Sequence, residues 1–151
     1  MPASLLSFAD LMHATNRRTG RMIFETCFVG LQAGPIEFSH GVTLHATDTV
    51  DSSLLDAILV PGFWSEFALH VEKALVTHAD LVRRLSVRSS CCHLWSYCTG
   101  VCLLAASGHL SDQPATVTWW LAKAMLSVTI RCAGRVSITV FSMNELPPLR
   151  V

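Results

Sequence analysis

The chain has 151 residues, half of them hydrophobic and only 15% charged, with 11 basic residues balancing 11 acidic ones; this is one domain's worth of residues with material for a single sizeable core. At zero formal charge no basic patch recommends nucleic-acid binding, and Arg17-Arg18 and Arg83-Arg84 read as solvated helix ends. No apolar stretch reaches the roughly 18 residues a membrane span needs, and the N-terminus, interrupted by Asp10 and without a basic region, does not read as a secretory signal.

In chain order, Leu5, Leu6, Ala9, Met12 and His13 recur at helical spacing and predict an amphipathic helix over 4–16, ending before Thr19-Gly20. Met22–Val29 alternates and predicts a strand. Ala33-Gly34-Pro35 signals a turn before a hairpin of Ile36–Phe38 and Val42–His45. The continuous apolar run Asp56–Val60 enters Pro61-Gly62, which predicts a buried parallel strand with a functional loop at its carboxyl end. A helix follows over Ser65–Val76, and Thr77-His78-Ala79-Asp80 resembles a capping arrangement for another over Ala79–Val87. Cys92–Tyr97 is a further strand and Thr99–Ala106 a further helix, stopping at Ser107-Gly108. Val117–Met125 reads as helix or strand-then-helix, and Val128–Cys132 and Val136–Phe141 are rich in β-formers. Strands alternating with helices predict an α/β fold with a mostly parallel central sheet sandwiched by helices.

Six cysteines (27, 91, 92, 98, 102 and 132) sit mostly in apolar runs, where reduced thiols behave as small hydrophobes. No CxxC pair and no HxxxH pair occurs, so no zinc site is expected. The seven histidines are scattered, no motif calls for a cofactor, and the expected compartment is a reducing cytoplasm.

The chemistry concentrates at Tyr97-Cys98-Thr99-Gly100. A cysteine between a strand and a helix lies near free backbone N–H groups, which favour the thiolate. Ser96-x-Cys98-x-Gly100 has the spacing of a nucleophile elbow, where small neighbours allow a tight turn. Cys98 is the candidate nucleophile, and the alternative is an inert cysteine at a buried junction. Trp119 and Trp120 are expected to serve packing.

Phe24–Gly30, Ala33-Gly34-Pro35, Ser39–His45, Asp56–Gly62, Tyr97–Gly100 and the run Leu103–Leu121 together resemble the ThiJ/PfpI family, within the class I glutamine amidotransferase-like, flavodoxin-like fold. The likeness is nearest to the N-terminal domains of AraC-type transcriptional regulators and covers residues 5–126; residues 127–151 diverge. The resemblance implies a sheet with Cys98 at its carboxyl edge and Asp10, from the first helix, as the carboxylate beside it. It also implies a ligand site drawn from Gly62, Phe63, Thr99, Gly100 and Thr118. Hydrolytic relatives carry a histidine directly after the cysteine or before a tryptophan about twenty residues on; here Thr99 and Thr118 stand there. Pro61-Gly62-Phe63 replaces the usual Pro-Gly-Gly, so Phe63 and Trp64 narrow the space at the sulfur while loop amides remain to serve an oxyanion.

The family's opening strand and a DNA-binding helix-turn-helix domain have no counterpart in this sequence. The expectation is therefore a truncated or divergent regulator product, incomplete at both ends, with an altered reading frame near the C-terminus as one route to it. Its expected role is non-catalytic ligand sensing or dimerisation, with a small-molecule ligand and a second copy of itself as partners. The alternatives are a Cys98-dependent enzyme (hydratase, glyoxalase-like or amidase) and a redox-responsive thiol protein.

Overall fold

The computed structural model describes residues 2–88, 92–122 and 137–141. It opens with helix α1 (Pro2–Thr19), followed by strand β1 (Val29–Gly30), β2 (Gly34–Glu37), a 3-10 turn at Ser39–Gly41, β3 (Thr43–Ala46) and β4 (Asp48–Thr49). Then come β5 (Ala57–Val60), α2 (Ala68–Thr77), α3 (Ala79–Ser86), β6 (His93–Ser96), α4 (Gly100–Ala106), β7 (Pro114–Thr118), a 3-10 turn at Trp119–Leu121 and β8 (Ser137–Phe141). This is a mixed α/β chain. Its strands form four two-stranded ladders among the described residues: β1–β4, β5–β6 and β7–β8 are parallel, and β2–β3 is the antiparallel hairpin anticipated from the turn.

The β5–β6 pair and α4 carry the core. Every residue from Gly100 to Ala105 is buried, as a helix that is apolar all round requires. Val101, Cys102 and Ala105 pack with Val71, Val117 and Leu121, while Leu103 and Leu104 pack with Ile58, Val60 and Leu85. α4 therefore belongs to both apolar clusters. It stops where expected: Gly108 takes φ 86° and donates to the carbonyl of Ala105 at 3.1 Å.

Two local expectations are corrected. Met22–Phe28 forms no strand, with Met22–Cys27 exposed and Phe28 half-buried; β1 begins only at Val29. The Asn16 side chain takes this segment's backbone groups instead, accepting from Ile23 N at 2.8 Å and Phe24 N at 2.9 Å and donating to Phe24 O at 2.6 Å. The capping arrangement at Thr77–Asp80 is absent, because Thr77 ends α2 and His78 joins the two helices with no side-chain cap. Of the two readings of Val117–Met125, the described part follows strand-then-helix: Val117 lies in β7 and a 3-10 turn follows at Trp119–Leu121.

The arginine pairs do close helices: Arg17 and Arg18 lie in the last turn of α1, Arg83 and Arg84 in that of α3. Arg83 pairs with Asp80 at 2.8 Å and Arg84 pairs with Asp51. β8 pairs with β7 from Pro114↔Ser137 to Thr118↔Phe141, so one ladder crosses the boundary anticipated at 126. Val128–Cys132 lies outside the described residues. No described helix is long and apolar enough to cross a membrane.

Candidate functional site

β5 and β6 run parallel with Val60 opposite Ser96, so the segments that follow them leave the same edge of the ladder. Pro61-Gly62-Phe63 comes from one strand and Tyr97-Cys98-Thr99 from the other. Gly62 faces Cys98 as anticipated: a Cβ built there would lie 3.1 Å from Cys98 Cβ and 3.3 Å from Thr99 Oγ1. At Gly100 a Cβ would fall 2.6 Å from both Ser96 Oγ and Val60 O and 2.7 Å from Pro61 O, closer than real Cβ atoms come. The small residues of the motif are thus required by contact between the elbow and the β5 loop. Ser96 also donates to Val60 O at 3.2 Å, tying the strand ends together.

Cys98 has φ 51°, a left-handed conformation that costs a non-glycine residue about 1–2 kcal/mol. The turn around it holds that conformation. Gly100 N donates to Tyr97 O at 3.1 Å, Val101 N to Cys98 O at 3.3 Å, and Cys102 N to Thr99 O at 3.0 Å. The thiol is free and exposed, the strained-elbow geometry that the motif predicts. One turn into α4, burial pushes the Cys102 thiol up to about 12, with the proximity of Cys98 adding to the rise. Cys102 is therefore a protonated core residue. Cys92 is likewise free and buried, and Cys27 is free and exposed.

Thr99 is 1% exposed. Its hydroxyl accepts from Phe63 N and donates to Phe63 O, both at 2.6 Å. Of the loop amides expected to serve an oxyanion, that of Phe63 is therefore occupied by Thr99. A threonine after the nucleophile thus does more than leave out a histidine, since it latches the β5 loop onto the elbow.

A cleft of about 370 Å³ opens over Cys98 and Thr99, walled by Phe63, Trp64, Ser65, Glu66 and Trp120; cavities of about 300–1,000 Å³ take small ligands. Cys98, Phe63 and Thr99 from the anticipated set line it, with Gly62 and Gly100 packed directly behind. Thr118 ends β7, immediately before the turn that carries Trp120 to the cleft. Trp120, 45% exposed, is a wall residue and not core packing.

Asp10 is not brought to the cleft. It is exposed on α1, whose contact with β6 runs through Phe8, in edge-to-face contact with Trp95 at 6.0 Å, and Ser4, hydrogen-bonded to the Tyr97 hydroxyl. Two residues beyond Phe8, Asp10 lies about 200° around the helix, away from that face. No hydrogen bond joins it to Cys98 among the described residues. The carboxylate in the wall is Glu66, which the sequence reading missed; its signal was its position four residues after Gly62 in the same loop. The described lining contains no histidine. His70, the next histidine along, accepts from the Glu66 amide at 3.4 Å and contacts Phe67 edge-on.

A second cavity, about 570 Å³, lies at the opposite end of β6, among Cys92, His93, Leu94, Leu104, His109, Leu110 and Gln113. His109 Nε2 lies 2.7 Å from Leu85 O; since a carbonyl only accepts, this nitrogen carries the proton. No group of three or more metal-binding side chains occurs among the described residues. Comparison of the chain with models of known protein families and with curated proteins finds no match.

Proposed function

We propose that the chain is a small-molecule-sensing domain of the ThiJ/PfpI type, akin to the N-terminal domain of an AraC-type regulator, and that its Cys98 cleft binds a ligand without turning it over. The reading includes a mostly parallel, flavodoxin-like sheet with β5 and β6 at its centre. The observation that carries the non-catalytic part is the pair of 2.6 Å bonds between the Thr99 hydroxyl and the Phe63 backbone. Acyl transfer at a cysteine needs an amide aimed at the developing oxyanion and a base beside the thiol. The Phe63 amide is already bonded, and the described wall offers no histidine. Aromatic surface and one carboxylate remain, which are features of a binding cleft.

The test measures turnover and binding together. Wild type and Cys98→Ser are given p-nitrophenyl acetate, and the expectation is that neither sustains nitrophenolate release once its exposed thiols are acetylated. N-phenylsuccinimide, an unreactive aromatic probe, should quench tryptophan fluorescence saturably below about 1 mM in both proteins. Absence of saturation would overturn the binding reading. A second reading, a cysteine enzyme, draws on Glu66 standing in the wall with Cys98. Sustained turnover lost in both Cys98→Ser and Glu66→Gln would put that reading first.

A further inference from the structure

We propose that the Cys98 cleft captures neutral, ring-bearing conjugated electrophiles, compounds with a carbon–carbon double bond conjugated to a carbonyl, by addition of the Cys98 thiol. The proposal rests on the binding reading above and names its ligand class. The thiol is exposed at a cleft whose walls include Phe63, Trp64 and Trp120. Trp64 is 72% exposed, so its ring is open to stacking by a planar guest.

The occupied Phe63 amide selects the reaction. Direct attack on a carbonyl raises an oxyanion on the oxygen of the attacked carbon, beside the elbow, where the Phe63 amide is already bonded to Thr99. Conjugate addition develops its charge on an oxygen three bonds from the attacked carbon, which water at the open mouth can solvate. A sulfur–carbon bond forms and the carbon–carbon π bond is consumed. The thiol proton passes to water, and the carbon next to the carbonyl takes a proton from water; no oxidant or leaving group is needed. Glu66 places negative charge in the wall and disfavours anionic electrophiles.

The test compares N-phenylmaleimide with N-ethylmaleimide, which share one reactive group and differ in the ring. Cys27, free and exposed in the Met22–Phe28 segment, is a reference thiol within the same full-length chain. Labelling rates at each cysteine are read by peptide mass spectrometry. The phenyl-to-ethyl rate ratio at Cys98 should exceed that at Cys27 by about five- to tenfold. Trp64→Ala, at an exposed position, should bring the two ratios within about twofold of each other and leave both maleimide rates at Cys27, which lies outside the cleft lining, unchanged. A carboxyphenyl maleimide should react more slowly than N-phenylmaleimide at Cys98, and Glu66→Gln should remove that difference. Equal ratios at Cys98 and Cys27, with saturable N-phenylsuccinimide binding retained in Cys98→Ser, would overturn capture and leave the binding reading standing. Equal ratios without binding would overturn both.

Discussion

α1 and α4 are built in opposite ways. α1 runs for 18 residues and buries none of them, touching the ladder through Phe8 and Ser4. α4 has seven residues and buries six, and the turn leading into it carries the candidate site. Length and anchorage are thus inversely related here. Helices are held mainly by tertiary packing rather than by their own hydrogen bonds, and a strained cysteine persists only where its surroundings over-determine it. α4 provides such surroundings for Cys98, whereas α1 has none to offer Asp10.

The strongest way to break this contrast is Leu104→Ala set against Leu11→Ala. Leu104 lies in the cluster with Val60 and Leu85, and its truncation should cost about 2–5 kcal/mol in urea unfolding. Leu11, exposed on α1, should cost within about 0.5 kcal/mol. Equal costs would mean that α1 is anchored as firmly as α4. Gly100→Ala should come next, at about 1–3 kcal/mol, because the new methyl meets Ser96 Oγ and the carbonyls of Val60 and Pro61. The same variant should slow maleimide labelling of Cys98 relative to Cys27, and unchanged stability would show that the loop yields freely.

Thr99→Val sharpens the comparison at the latch. It keeps the shape and removes both bonds to Phe63, so a loss of about 1–2 kcal/mol is expected. It should also raise protease or hydrogen-exchange susceptibility across Pro61–Phe67 and leave α1 unaltered. The smallest effect lies on the exposed face of α3, where the hydrogen bond and charge of Arg83 hold the Asp80 carboxyl below its ordinary value. A lowered folded-state value means that the pair's contribution is present above the ordinary aspartate range and is lost as pH falls through the lowered value. Asp80→Asn should therefore be slightly less stable than wild type near pH 7 and indistinguishable from it near pH 2. A difference that persists in acid would assign the effect to something other than the carboxylate's charge.

Much of the site was legible before any coordinates. Ser96-x-Cys98-x-Gly100 placed an elbow between a strand and a helix, and Asp56–Gly62 placed a loop at the carboxyl end of a neighbouring strand. Local pattern suffices there, because buried parallel strands are continuous apolar runs and tight turns demand small residues. The strand expected over Met22–Val29 was lost to a side chain: alternation cannot show that Asn16 would take backbone groups of Ile23 and Phe24 that a neighbouring strand would otherwise bind. The Asp10 assignment came from resemblance, and its outcome depended on which face of α1 meets β6. Trp120 was assigned to packing because periodicity does not say that a 3-10 turn after β7 delivers it to the cleft.

By itself, then, the sequence determined the order of strands and helices around the elbow, the small residues at 96 and 100, and the absence of a histidine at 99 and 118. These follow from residue type and near-neighbour spacing. Only the tertiary structure decided that Glu66 rather than Asp10 stands in the cleft wall, that Trp120 completes it, and that Thr99 occupies the Phe63 amide. Each of these depends on the rotation of a helix or the path of a loop 36 or more residues away, set by how α4 packs against β5 and β6 and not by any local pattern.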